Sequence, residues 1–197
     1  MSSTVHEESH ELPLHIKIAR ARAGVLLLIL SDALSVMAIL AAGGYLNALN
    51  VLGQFKVPNE AVPNIIPGIL VAILLVVSGA AYYLWERSIR RQAGTIQQPL
   101  FIVAWLATIV ALVVQIYMSY TLGFGSPYHA YESVIILLTW FTSVHLLLSG
   151  IVGLLLFGRI ARGRQTRHSY VVEVVGYWWY YTIIASLLLW IFSLILS

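Results

Sequence analysis

The sequence has no cysteine among its 197 residues and carries very little charge. Without cysteine, the chain cannot form disulfides, use a thiol as a nucleophile or bind a metal through sulfur. Only 10% of the residues are charged, whereas 60% are hydrophobic, and the mean hydropathy is +0.88. A typical water-soluble domain has about 25% charged residues. The composition therefore predicts a protein that lies within a lipid bilayer.

Five long apolar segments alternate with short polar ones. These segments are about 23–49, 65–84, 99–122, 133–157 and 174–196. Each is long enough to cross the hydrocarbon as a helix, which takes about 20 residues. We therefore predict an all-α fold, a polytopic bundle of five transmembrane helices over 23–197, preceded by a polar tail over 1–22. The loops are too short to fold as a second domain.

Lysine and arginine residues are concentrated in alternate connections. Ten of the eleven lie in the N-terminal tail or in the bends after the second and fourth segments, and only Lys56 lies on the other side. Because positively charged loops stay on the cytoplasmic side, this alternation predicts a cytoplasmic N-terminus and a C-terminus outside. The basic bends are topology signals, contacts for anionic lipid headgroups, or both.

A few polar side chains interrupt the apolar segments, among them Asp32, Gln115 and His145. An acid in hydrocarbon is unfavourable by several kcal/mol unless it is paired or protonated, so Asp32 must face protein or water. Counting along the helices places Asp32 roughly 14 Å and His145 roughly 18 Å from the same membrane surface. The sequence therefore predicts a contact between Asp32 and His145 if the first and fourth helices touch.

The polar groups have two interpretations: hydrogen bonds between helices, or a proton route or ligand site. A route requires ionisable groups that reach both surfaces, and only Asp32 and His145 lie deep, which favours helix contacts. One deep histidine is also too few for a bis-histidine haem or a three-ligand metal site. We expect no haem, metal or catalytic residue in this chain. Glu173 is expected to complement the positive end of the last helix or to pair with Arg164 or Arg167.

Four short motifs occur within the apolar segments in a fixed order. They are Ser31-Asp32, Gln115-Ile116-Tyr117, His145 followed by Ser149-Gly150, and Glu173 followed by Tyr177-Trp178-Trp179. In this order they resemble subunit III of the haem-copper respiratory oxidases, in the five-helix form of bacterial ubiquinol oxidases. The family has a Ser followed by an acid, a Glu-Ile-Tyr segment, a His-x-x-His pair with a Ser-Gly, and Glu-x-x-x-Trp-Tyr-Trp at these places.

The chain also departs from the family pattern. Gln115 replaces an acid, Thr142 replaces the first histidine of the pair, and a later histidine, aspartate and tryptophan are missing within 180–186. These departures leave two possibilities within the resemblance. The chain is a divergent oxidase subunit III, or it is an accessory subunit of another membrane oxidoreductase such as a nitric oxide reductase. A stand-alone transporter is a third alternative, but it would require broken helices or paired polar sites across a repeat.

The resemblance implies a non-catalytic subunit in a bacterial or archaeal cytoplasmic membrane. Such a subunit binds no haem or copper itself, packs against subunits I and II, and holds phospholipids. Haem and copper are then expected in subunit I, with subunit II as a further candidate for copper. Asp32, Gln115, His145 and Glu173 are expected to make structural polar contacts. Arg159 and Arg162, in a bend that resembles the quinol-oxidase form, are the candidates for contact with lipid phosphate.

Overall fold

The computed structural model describes residues 13–50, 55–56, 62–91, 98–123, 129–162 and 169–197. Within these residues the protein consists of five α-helices and no β-strand. The helices are α1 (Leu14–Ala48), α2 (Ile65–Arg90), α3 (Gln98–Tyr120), α4 (Ala130–Ala161) and α5 (Ser169–Leu196). Each is long and apolar enough to cross a membrane. The prediction of an all-α fold with five helices long and apolar enough to span a membrane is therefore confirmed for this part of the chain, as is typical of a multi-pass membrane protein.

Several helices continue past the apolar segments at the basic ends. α1 begins at Leu14 rather than at 23, so residues 14–22 of the predicted tail are helical, and α2 continues to Arg90 rather than ending at 84. A helix makes its own backbone hydrogen bonds, so it need not end where the hydrocarbon ends. Local signals set the ends instead. The Asn64 side chain accepts from the Ile66 N–H at 3.0 Å and caps α2, as N-cap residues do.

Helices α2 to α5 form a closed ring in which each helix packs against its two neighbours, with α5 returning to α2. α1 lies outside this ring and, within the part of the chain that the structure describes, packs only on α4 and α5. Only 6% of the most apolar window of α1 is buried, against 56% for α4. α1 is therefore a peripheral helix on the seam between α4 and α5.

Glycines allow large aromatic side chains to enter between the ring helices. A Cβ atom at Gly153 would collide with the ring of Trp105, whose indole N–H donates to the carbonyl oxygen of Gly150 at 2.9 Å. A Cβ atom at Gly68 would likewise collide with Trp190. Because lipid tails are as apolar as leucine, such close packing and the hydrogen bonds between helices hold the ring together.

Candidate functional site

Three polar side chains meet at the seam between α1, α4 and α5. Oδ2 of Asp32 lies 2.6 Å from Nε2 of His145, and the hydroxyl of Tyr181 donates to the same oxygen at 2.5 Å. The imidazole is buried, whereas the Asp32 side chain is 23% exposed. The contact between Asp32 and His145, which the sequence predicts if the first and fourth helices touch, is therefore present. Tyr181 is a third member that was not predicted.

The hydrogen bonds around His145 determine where its protons lie. Nδ1 is 2.8 Å from the carbonyl oxygen of Phe141, which can only accept, so Nδ1 carries a proton. Nε2 faces a carboxyl oxygen of Asp32, and a hydrogen bond between these two atoms requires one proton between them. The pair is then either an imidazolium with a carboxylate or a neutral imidazole with a carboxylic acid. Both forms have no net charge, which is the state that hydrocarbon tolerates.

Aromatic rings surround the imidazole of His145. The indole of Trp178 lies nearly parallel to it, at 7° with 6.1 Å between ring centroids, and the Phe141 ring lies 4.7 Å away. These rings keep the surroundings apolar, which strengthens the hydrogen bonds to His145. Trp178 belongs to a row of five aromatic residues over 177–181 in α5. Trp178 and Trp179 within this stretch are buried.

A second polar cluster joins α1 and α5 at their basic ends. The carboxylate of Glu173 accepts from the guanidinium of Arg22 at 2.9 Å and from the hydroxyl of Tyr177 at 2.5 Å. The predicted alternatives, Arg164 and Arg167, lie outside the described residues. Glu173 thus pairs with a cation of another helix, which ties the start of α1 to the start of α5.

Two buried acids were not predicted as polar contacts. Glu86 on α2 accepts from Arg90 at 2.6 Å and from the hydroxyl of Tyr180 at 2.8 Å. Arg90 also approaches Glu173 to 3.9 Å, so the second cluster includes α2. The spacing of four residues between Glu86 and Arg90 was the available sequence signal. The other acid, Glu132 in the first turn of α4, is buried, and its Oε2 has no hydrogen-bond partner among the residues that the structure describes.

Gln115 lies inside the ring of α2 to α5, separate from the Asp32 cluster. Its amide N–H donates to the carbonyl oxygen of Thr139 at the long distance of 3.4 Å. The side chain lines a cavity of about 20 Å³ together with Thr142 and Ser193. A polar cavity of this size has room for about one water molecule. Gln115 is therefore a contact between ring helices and does not join the seam at α1.

Arg159 and Arg162 lie at the end of α4 and are exposed. Neither forms an ion pair with the residues that the structure describes. Their side chains are free to reach an anionic group at the membrane surface, so lipid contact stays a prediction for both.

The seam can hold one shared proton and can fix the position of α1. No group of three histidine, aspartate or glutamate side chains that could hold a metal ion occurs in the described part of the chain.

No protein-family model matches the sequence, and no curated protein is significantly similar to it. Function is therefore inferred from the residues and their geometry.

Proposed function

We propose that the protein is a non-catalytic integral subunit of a haem-copper terminal oxidase, of the subunit III type, in a membrane that couples oxygen reduction to proton pumping. One observation supports this most directly. Asp32 and His145 belong to two of the motifs that resemble the family, they are 113 positions apart, and they hydrogen-bond at 2.6 Å. Two residues so far apart in the sequence are expected to come into contact if the motifs that contain them form one folded arrangement.

A structural role agrees with the way α1 is attached. Lipid offers no apolar driving force for helix association, so a peripheral helix depends on packing and polar contacts. α1 has one such contact at its basic end, Arg22 with Glu173 at 2.9 Å, and another in its middle, where Asp32 meets His145 and Tyr181. In this proposal both contacts keep the subunit's shape, and subunit I carries out the chemistry.

The proposal includes an orientation in the membrane and a set of partners. Contacts between Glu173 and the arginines Arg22 and Arg90 bring the basic ends of α1, α2 and α5 to one side, while Lys56 bonds to the carbonyl oxygen of Ser197 at the other. By the positive-inside rule the basic side is cytoplasmic, which puts the N-terminus inside and the C-terminus outside a bacterial or archaeal cytoplasmic membrane. Haem and copper belong to subunit I, and copper also to subunit II where present.

The proposal assigns Arg159 and Arg162 to contact with lipid headgroups. On the cytoplasmic side their exposed guanidinium groups would lie at the depth of the phospholipid phosphates. Clusters of basic residues at this position attract anionic headgroups, with about 1 kcal/mol for each charge near the surface. The subunit would then hold lipid at the end of α4.

Isolation of the tagged chain from its native membranes in mild detergent tests the proposal. We expect a haem-copper core to co-isolate, with haem and copper absorption and oxygen consumption in the purified fraction. Co-isolation with a nitric-oxide-reducing core would assign the chain to that complex instead. A lone monodisperse chain that moves ions across liposomes would refute the proposal and identify a transporter.

A further inference from the structure

A small polar cavity lies inside the ring of α2 to α5, near the end of the ring where α2 begins. Its volume is about 20 Å³. Polar side chains from the start of α2 and from the other three ring helices line it, and they are Asn64, Gln115, Thr139, Thr142 and Ser193. Asn64 is also exposed, so the cavity lies within reach of water at this end of the ring.

The three hydroxyl groups that line the cavity have no proton left for an occupant. Each donates to a backbone carbonyl oxygen of its own helix: Thr139 to Ile135 at 2.7 Å, Thr142 to Leu138 at 2.9 Å, and Ser193 to Trp190 at 2.6 Å. A carbonyl oxygen only accepts, and a hydroxyl group has a single proton. The three hydroxyl oxygens can therefore offer an occupant only their lone pairs.

The side-chain amide of Gln115 adds a fourth acceptor. Its N–H donates to the carbonyl oxygen of Thr139, whereas its Oε1 has no hydrogen-bond partner among the residues that the structure describes. The indole nitrogen of Trp190, which also lines the cavity, is packed against Gly68. Four oxygen acceptors from α3, α4 and α5 thus line this space, and no charged side chain does.

We infer that this cavity binds a sodium ion, with the side-chain oxygens of Gln115, Thr139, Thr142 and Ser193 as ligands. A water molecule fits the volume, but it has two protons to donate, so at least two of the four oxygens would stay without a partner. A hard cation is contacted by all its oxygen ligands at once. Water that enters beside Asn64 can complete the coordination shell.

The lining of the cavity also selects the type of ion. Calcium and magnesium ions are usually held by carboxylates, and none lines this cavity, which favours a monovalent ion. A volume of about one water molecule favours sodium over the larger potassium ion. Zinc, iron and copper use histidine, cysteine or carboxylate ligands. The expectation of no metal rested on the single deep histidine, so it does not extend to a site of neutral oxygens.

Thermal unfolding of the purified chain in detergent, followed by circular dichroism, tests sodium binding. Sodium chloride is titrated against potassium chloride and choline chloride at constant ionic strength. A ligand that binds only the folded state raises Tm, so sodium at about ten times its Kd should raise Tm by about 3 °C or more. We expect no such rise with potassium or choline. Equal Tm values in sodium and potassium would overturn the inference and leave water as the occupant.

Three variants locate the bound ion. Thr142→Val and Ser193→Ala each remove one ligand oxygen, on different helices. Thr108→Val is the matched control, because Thr108 is a buried threonine that also donates to its own helix but does not line the cavity. We expect the affinity for radioactive sodium to fall about tenfold or more in the first two variants and to stay unchanged in the control. A similar fall in all three variants, or in none of them, would overturn the site.

Sodium binding does not depend on which complex the chain joins. Loss of the sodium response would leave the proposed function standing, since co-isolation with a haem-copper core is a separate measurement. Co-isolation with a different core would refute the proposed function and leave the sodium site intact.

Discussion

Replacement of Asp32 by leucine measures how strongly the seam holds α1 against the ring. Two hydrogen bonds between helices end on its Oδ2, at 2.6 Å from His145 and at 2.5 Å from Tyr181. Such bonds contribute about 0.6 kcal/mol on average in a membrane protein and about 1.7 kcal/mol at most. Leucine removes both and leaves an imidazole nitrogen and a phenol hydroxyl without partners. We therefore expect the free energy of unfolding to fall by about 3 kcal/mol.

Asparagine at position 32 should be tolerated better than leucine. Its amide is close in size to the carboxyl group, and its N–H can donate to the neutral Nε2 of His145. The hydroxyl of Tyr181 then loses its acceptor, so the expected loss is about 1 kcal/mol. Tyr181→Phe removes the same bond from the other side and should give a loss of similar size.

Unfolding of the purified chain in mixed micelles, followed by circular dichroism, measures these free energies. Ser31→Leu serves as the control, because Ser31 is the exposed neighbour of Asp32 on α1, and its effect should stay within about 0.5 kcal/mol. Equal losses for Asn and Leu at position 32 would refute the reasoning from hydrogen bonds. A loss for Asp32→Leu no larger than that of the control would mean that the seam does not hold α1.

Three further substitutions test contacts within the helix ring by the same unfolding measurement. Gly153→Ala should lower the free energy of unfolding by about 1–3 kcal/mol, because the added methyl group would collide with Trp105. Gly158→Ala is the control, because Gly158 lies on the same helix with open space around it, and this variant should leave the free energy of unfolding unchanged. Similar losses for the two variants would contradict the close packing. Tyr180→Phe removes the hydrogen bond to the buried carboxylate of Glu86 and should lower the free energy of unfolding by about 1.5 kcal/mol. An unchanged free energy of unfolding would argue against that hydrogen bond. Gln115→Leu loses only a long bond at 3.4 Å, so we expect a change within about 1 kcal/mol, and a larger loss would indicate a stronger polar contact in the cavity.

The contact between Asp32 and His145 illustrates what a single sequence can predict. Depth along a transmembrane helix follows from a fixed rise per residue, so the two side chains could be placed at similar depths. Which helices touch depends on packing of their faces, and one sequence carries little information about this. The contact could therefore be predicted only on the condition that the first and fourth helices meet, as they do at the periphery of the ring.

Side chains of mixed character were harder to interpret. Tyr181 lies in a row of aromatic residues, and such rows are typical of the membrane interface, where the ring and its polar tip face different surroundings. Its hydroxyl instead reaches a carboxyl oxygen on α1. The burial of Glu86 was not predicted for a related reason. An acid beside arginines at the end of an apolar segment is typical of a helix end exposed to solvent. Its burial depends on Tyr180, which comes from a distant part of the chain.

The position of α1 depends on two polar contacts. A helix with so little of its apolar surface buried can slide or rotate on its neighbours unless directional contacts fix it. Arg22 fixes its basic end and Asp32 fixes its middle, so the two contacts together determine which face of α1 points away from the ring. Both hydrogen bonds of Asp32 end on Oδ2, one from α4 and one from α5. A single carboxyl group in the middle of α1 therefore holds the rotation of this helix relative to both of its neighbours.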